Sequence, residues 1–113
     1  MNSTKGTTTN GDHPRHGLDD EFNSPVRFSI VAALAQGERV EFAFLRDVVQ
    51  VSDSVLSKQT ARLETAGVIK IHKGYVGKRP RTWLSITAQG ASRYQQHTAA
   101  LQAVIDTATN TQA

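Results

Sequence analysis

The amino-acid sequence predicts an α+β domain that is mainly helical, with the order helix-helix-helix-strand-strand-helix. Two observations indicate this fold class. Apolar residues recur at helical spacing in three stretches before residue 67 and again in a long stretch after residue 87. Between these stretches, two β-rich runs flank a loop that contains glycine, which is typical of a β-hairpin.

The first two helices are predicted from local signals. Ser24 and Pro25 indicate the start of the first helix, because a hydroxyl can cap a helix and proline suits its first position. Gly37 lies where a C-terminal cap is expected. The second helix is short and spans Phe42 to Val49. Its predicted inward positions are Phe42, Leu45 and either Val49 or Val48.

The third helix is predicted to begin after Ser52, a strong candidate for its N-cap, and to run to about Ala66 before Gly67. The spacing predicts the inward positions Leu56, Thr60 and Leu63. A hairpin follows with strands at 68–73 and 82–86, and Pro80 is expected at its edge or turn. Thr87 caps the final helix. Its predicted apolar stripe comprises Ala91, Tyr94, Thr98, Leu101, Ile105 and Ala108.

The chain divides into three parts. Residues 1–17 contain no large aliphatic or aromatic side chain after Met1, so they cannot offset the entropy of ordering. We therefore predict a flexible tail over residues 1–22, with 18–22 as a transition, a folded domain over 23–107 and a frayed end over 108–113.

Composition excludes several function classes. A chain of 113 residues without cysteine has no disulfide, thiolate nucleophile or thiol redox switch. It shows neither a membrane-length apolar run nor a signal peptide, so a soluble cytoplasmic protein without a membrane partner is predicted. The four histidines show no recurring metal-ligand spacing and are predicted to lie at the surface. We expect no enzyme activity, no catalytic residue, no metal and no cofactor.

The positive charge is concentrated in one part of the sequence. The whole chain has a net charge of +3, but residues 52–82 hold seven basic and two acidic residues, and the remainder has a net charge of −2. This asymmetry favours a polyanionic partner. The candidate DNA contacts on the outer face of the third helix and its flanks are Ser54, Val55, Ser57, Lys58, Ala61, Arg62 and Thr65, of which Val55 and Ser57 lie on the flanks. Those on the hairpin are Lys73, Lys78, Arg79 and Arg81.

An ordered set of motifs covers most of the predicted domain. These motifs lie at residues 24–27, 45–47, 52–56, 63–68, 73–82 and 84–90. Over residues 23–105 the chain resembles the small, single-domain winged helix-turn-helix transcriptional regulators of the MarR/ArsR type. This resemblance implies that the third helix is the recognition helix and that the hairpin is the wing.

The resemblance also implies a homodimer formed by the first and last helices. The sequence supports a dimer in two ways: the last helix extends beyond the expected core, and the first helix has a second apolar face. The alternative is that the apolar faces of these two helices pack on each other within one chain. The predicted interface residues are Phe28, Val31, Ala35, Leu101, Val104 and Ile105.

The resulting hypothesis is a homodimeric, sequence-specific binder of double-stranded DNA that regulates transcription. A winged-helix protein-interaction module without DNA binding is the alternative. RNA is disfavoured because the major groove of A-form RNA is too narrow for a recognition helix. The sequence does not reveal a small-molecule effector.

Overall fold

Four α-helices and a three-stranded antiparallel sheet make up the described part of the chain, residues 13–111, in this computed structural model. The elements are α1 (Pro25–Leu34), β1 (Val40–Glu41), α2 (Phe42–Val49), α3 (Asp53–Thr65), β2 (Ile69–Val76), β3 (Arg79–Ile86) and α4 (Ala88–Thr111). Two short 3₁₀ helices, Pro14–Gly17 and Asp20–Phe22, precede α1. We call residues 13–23 the N-terminal segment. The predicted fold class is confirmed.

Side-chain hydroxyls cap three of the helices as predicted. In each case the hydroxyl oxygen accepts a hydrogen bond from a backbone N–H three residues further along. These bonds run from Arg27 N to Ser24 Oγ at 3.2 Å, from Val55 N to Ser52 Oγ at 3.2 Å and from Gly90 N to Thr87 Oγ1 at 2.9 Å. The starts of α1, α3 and α4 are therefore set by local sequence.

The turn between α2 and α3 depends on a left-handed residue that is not glycine. Gln50 has a φ of 61°, and its N–H donates to the Arg46 carbonyl at 2.8 Å. This bond ends α2, and α3 begins at Asp53 after only Val51 and Ser52. Two helices joined by so short a turn have the order of a helix-turn-helix.

The sheet has the strand order β1-β3-β2. The hairpin of β2 and β3 was predicted, but its strands extend beyond the predicted 68–73 and 82–86 into the predicted loop. The strand β1 was not predicted, because two residues are too few to show an alternating pattern. In β1, Val40 pairs with Leu84 and Glu41 pairs with Trp83. Pro80 lies on β3 next to the hairpin turn and beyond the part that pairs with β1, which agrees with its predicted position.

The core lies between the helices and one face of the sheet. Its fully buried members include Ile30, Leu34, Leu45, Leu56, Leu63, Val68 and Leu84. All three predicted inward positions of α3 are buried, and the Thr60 hydroxyl is satisfied because it donates to the Leu56 carbonyl at 2.8 Å. On α2, Val49 packs against the core and Val48 is exposed, which resolves the predicted alternative.

The N-terminal segment differs from the predicted tail. Residues 1–12 lie outside the described residues, but residues 13–22 pack on α4 and α1. Phe22 is buried in the core, and the Asp19 carboxylate is bound by Arg93 of α4. Composition did not predict that residues 13–22 are ordered, because the partners of Asp19 and Phe22 lie some 70 residues further along the chain.

The last helix, α4, continues to Thr111, past the predicted boundary at residue 107, and residues 112–113 lie outside the described part. Its first half packs against α1 and the N-terminal segment. Between residues 101 and 109 no side chain is buried, so the apolar stripe continues onto an uncovered face. No helix within residues 13–111 has the length and hydropathy needed to span a membrane.

Candidate nucleic-acid interface

The outer face of α3 is exposed along its length. The buried line of Leu56, Thr60 and Leu63 turns the opposite side of the helix to the surface. The structure exposes all seven residues that were predicted on this side: Ser54, Val55, Ser57, Lys58, Ala61, Arg62 and Thr65. Most of these side chains are small, so another molecule can approach the helix backbone closely.

The wing, formed by β2, β3 and the turn between them, projects next to α3. Its turn depends on Gly77, which has a φ of 63°. Lys73, Lys78 and Arg79 are exposed on the wing. Together with the exposed α3 residues they form what we call the α3–wing surface. Arg81 differs from these three, because it is half-buried and forms an ion pair with Glu41 of β1.

A cleft of about 740 Å³ separates α3 from the wing. Its lining residues include Ser57, Ala61 and Glu64 from α3, and Ile71, Lys73 and Thr82 from the wing. The Glu64 carboxylate bridges the cleft by accepting a hydrogen bond from the Ile71 N–H at 3.2 Å. This bond helps to hold the wing at a fixed distance from α3.

Four basic side chains of the α3–wing surface carry uncompensated charge. Lys58, Lys73, Lys78 and Arg79 form no ion pair with any residue in the described range 13–111. An unpaired, hydrated cation can neutralise a phosphate without first breaking a bond within the protein. The surface is therefore suited to bind a polyanion.

Arg46 neutralises the acidic start of α3. Its Nη1 lies 2.9 Å from Asp53 Oδ1, and its Nε lies 3.0 Å from Asp47 Oδ1. The hydrogen bond with Asp53 is the main cause of the raised pKa of Arg46. This pair reduces the repulsion that Asp53 would exert on an anion at the helix N-terminus. Sequence reasoning did not assign this role, although opposite charges on both sides of a predicted turn were a usable signal.

The N-terminal segment is held to α4 by a bidentate salt bridge between Asp19 and Arg93. Arg93 Nε donates to Asp19 Oδ2 at 2.7 Å, and Arg93 Nη2 donates to Asp19 Oδ1 at 2.9 Å. These bonds lower the pKa of Asp19. Arg93 Nη1 also donates to the Ala66 carbonyl at 3.1 Å, so the same side chain reaches the end of α3.

His97 corrects the prediction that the histidines lie at the surface. It is 4% exposed, and its ring lies 5.2 Å from the ring of Phe22 and 5.5 Å from that of Phe28. The Asp19 N–H donates to its Nδ1 at 2.9 Å. Burial lowers the pKa of His97, which favours the neutral ring that this bond requires. Within residues 13–111 no cluster of three or more potential metal ligands is present.

Glu21 connects the N-terminal segment to α3. Its backbone carbonyl accepts a bond from Arg27 Nε at 2.7 Å, and its carboxylate Oε1 lies 3.3 Å from Arg62 Nε. Arg27 is buried and also donates to Gln59 of α3 at 3.1 Å. Arg62 is therefore paired, unlike Lys58 on the same helix. Sequence reasoning missed this contact because Glu21 and Arg62 are 41 residues apart.

The predicted interface residues fall into two groups. Leu101 and Ile105 are exposed and Val104 is half-buried, so these three form an uncovered apolar face on α4. On α1 the prediction for Val31 is wrong, because Val31 is fully buried in the core of its own chain. Phe28 is half-buried and stacks on Tyr94 with ring centroids 5.8 Å apart, and Ala35 is half-buried.

Known proteins share this architecture. Residues 26–105 match the family model described as a winged helix DNA-binding domain. An uncharacterized protein of Methanocaldococcus jannaschii is 30% identical over 76 residues, which cover 67% of this chain and 83% of that protein.

Solved structures of regulators show the same fold. A transcriptional regulator homologue from Pyrococcus horikoshii superposes with a TM-score of 0.71 at 29% identity, covering 76% of this chain and 85% of that one. A MarR-family regulator from Silicibacter pomeroyi has a TM-score of 0.60 at 19% identity, covering 85% of this chain and 66% of that one. The resemblance inferred from the sequence is confirmed, and the chain belongs to the family of winged-helix DNA-binding domains.

Proposed function

We propose that the protein is a homodimeric transcriptional regulator that binds specific double-stranded DNA sequences through the α3–wing surface. The cluster of unpaired basic side chains on this surface is the observation that carries the proposal. In a winged-helix DNA-binding domain, this is the charge that phosphate groups would neutralise. The protein acts by binding, without catalytic chemistry of its own.

In this proposal α3 enters the major groove of each half-site. An α-helix fits the width of that groove, and the small residues Ser54, Ser57 and Ala61 permit a close approach. Lys58 and Arg62 extend to base edges or phosphates. Lys78 and Arg79 at the tip of the wing contact the backbone or the adjacent minor groove.

The dimer forms through the second half of α4. This helix has 24 residues and is therefore about 36 Å long. Ile105 is 57% exposed and continues the apolar face beyond the last residue that the chain itself buries. A second copy covers this face and places two α3 helices on the same side of the DNA. The half-sites then lie about one helical turn apart, ~34–36 Å.

A protein-interaction module is the second candidate. The observation in its favour is on α2, where Phe44 is 62% exposed and Val48, one turn further along, is 51% exposed. These residues form an apolar patch outside the α3–wing surface. A module of this kind does not need the unpaired cations of α3 and the wing, so DNA binding distinguishes the two candidates.

Selection of duplexes from a random pool, followed by fluorescence anisotropy at 50 mM salt, tests DNA binding. We expect a palindromic consensus with half-site centres about 10 base pairs apart. Absence of binding to every duplex would contradict the proposal and favour the interaction module.

Sedimentation velocity tests the dimer separately. We expect Ile105→Asp to shift the protein to monomer, because a charge on the apolar face opposes its burial, while Ile105→Leu remains dimeric. A wild-type protein that stays monomeric at every concentration would contradict the proposed assembly.

A further inference from the structure

Arg62 differs from the other cations of the α3–wing surface in its surroundings. It lies on the flank of α3 that faces the N-terminal segment, and its side chain is 54% exposed. Only its Nε is engaged, by Glu21 Oε1 at 3.3 Å. Its two terminal nitrogens, Nη1 and Nη2, form no hydrogen bond with any residue between 13 and 111. The outer end of the guanidinium is therefore available to a ligand.

Glu21 is held in place from several directions. Its N–H donates to Asp19 Oδ1 at 3.0 Å, and its carbonyl accepts a bond from the buried Arg27. The next residue, Phe22, is buried in the core. The Glu21 carboxylate is thus presented to α3 by an anchored backbone. It restricts the directions in which the Arg62 guanidinium can point.

This pairing has two physical consequences for DNA binding. The Glu21 carboxylate, whose Oε1 also lies 4.0 Å from Arg27 Nε, compensates the charge of Arg62 in part. A partly compensated guanidinium releases fewer counterions when it meets a phosphate, so it gains less from non-specific binding. The free terminal edge still offers two parallel N–H donors, which match O6 and N7 of guanine. The pair therefore favours contact with a base over contact with the backbone.

We propose that Glu21 is a positioning residue that sets DNA sequence specificity by directing Arg62 to a guanine base rather than to a phosphate. This inference rests on the proposed function, since it requires α3 to bind DNA. It goes further by assigning a role to a residue outside the helix-turn-helix and the wing, and by naming the base that Arg62 reads.

The test compares Glu21→Gln with Asp20→Asn, a matched change of one charge at the adjacent position. Asp20 is exposed, and its carboxylate bonds only to Asn23 among residues 13–111. The full-length protein is titrated with two duplexes: the one that the wild type selects, and a scrambled duplex of equal composition. The measured quantity is the dissociation constant for the scrambled duplex divided by that for the selected duplex, which we call the specificity ratio. The salt dependence of binding to the scrambled duplex is measured as well.

We expect the ratio to fall by about 5- to 100-fold in Glu21→Gln and to stay at the wild-type value in Asp20→Asn. The slope of log K against log salt on the scrambled duplex should steepen by about 0.9 per protomer, because Arg62 is released to a phosphate. In an Arg62→Ala background, Glu21→Gln should have no further effect on the ratio. An effect that persists there would overturn the assigned role.

Arg62→Lys provides a second route that does not depend on the stability of the Glu21 variant. Lysine keeps the charge but lacks the fork of two donors, so we expect the ratio to fall and the guanine preference of the consensus to weaken. An unchanged ratio in Arg62→Lys, or equal ratios in Glu21→Gln and Asp20→Asn, would overturn this inference alone. A wild type that binds no duplex would overturn the proposed function as well.

Discussion

The arginines that hold the N-terminal segment and the unpaired basic residues of the α3–wing surface have the same charge but opposite surroundings. Arg27 and Arg93 are largely buried and hydrogen-bond to acceptors on other elements. Lys58, Lys78 and Arg79 are exposed and unpaired within residues 13–111. The first group holds the N-terminal segment to the domain. The second group remains available to a partner.

The paired arginines should therefore contribute mainly to the stability of the fold, and the unpaired basic residues mainly to DNA binding. A partly buried, bidentate salt bridge such as that between Arg93 and Asp19 fixes the position of the N-terminal segment, and its loss leaves polar groups without partners. Removal of an exposed, unpaired lysine changes the free energy of folding by only about 0.5 kcal/mol or less. Substitutions in the two regions should therefore affect different measurements, and the following predictions test whether they do.

The largest expected effect is that of Phe22→Ala. Phe22 is buried and packs edge-on against Tyr94 and His97, so its truncation should lower the free energy of unfolding by about 3–5 kcal/mol. Urea titration followed by circular dichroism measures the loss. Tyr75→Ala, at an exposed position on the wing, is the control and should change stability little. Equal stability of the Phe22 variant and the wild type would show that the N-terminal segment is not part of the fold.

The next effect concerns Lys58→Ala. We expect DNA affinity to weaken by about 1–3 kcal/mol if Lys58 contacts a base, with no change in the urea midpoint. Arg15→Ala removes an equal charge from an exposed position on the N-terminal segment and serves as the control. If both variants lost affinity equally, net charge rather than a specific surface would govern binding.

A smaller effect should appear in the pH dependence of stability. Burial lowers the pKa of His97 below its ordinary value of 6.5, so between the two values the unfolded chain binds a proton that the folded chain does not. The free energy of unfolding should therefore fall as the pH drops below about 6.5. The contribution of Asp19, whose pKa is lowered mainly by its bond to Arg93, is lost at still lower pH.

The variant His97→Asn tests this assignment, because asparagine can still accept the Asp19 N–H but does not titrate. We expect a flatter stability profile between pH 7 and pH 5 in urea titrations. His16→Asn, at an exposed position, should retain the wild-type slope. A wild-type slope in the His97 variant would mean that another group causes the acid sensitivity.

The smallest expected difference lies within the wing. Arg79→Ala should weaken binding to all duplexes alike if its partner is a phosphate. Arg81→Ala should have less effect on DNA affinity, because Arg81 already pairs with Glu41. Anisotropy with the selected and the scrambled duplex compares the two variants. A larger loss for Arg81→Ala would show that its ion pair opens in the complex.

Local signals predicted the parts of the structure that local interactions determine. The caps at Ser24, Ser52 and Thr87 and the buried face of α3 depend on residues a few positions apart, and all of them were predictable. The exposure of the outer face of α3 followed from the same periodicity. The fold class was therefore accessible without any knowledge of tertiary contacts.

Features that depend on tertiary contacts were not predictable in this way. The partner of Asp19 lies 74 residues away on α4, and the partner of Arg62 lies 41 residues away on the N-terminal segment. The burial of His97 depends on Phe22 and Phe28 covering its ring. Arg81 was grouped with the free cations of the wing because β1, which supplies Glu41, was too short to recognise.

The most direct test of the α3–wing surface is the salt dependence of DNA binding in a triple variant. If each protomer neutralises roughly four phosphates, the wild-type dimer should show a slope of log K against log salt of about −7. Lys58→Ala, Lys78→Ala and Arg79→Ala combined should reduce this slope to about −2, with folding unchanged. A triple variant that keeps the wild-type slope would show that these side chains do not meet the phosphates, and would contradict the proposed interface.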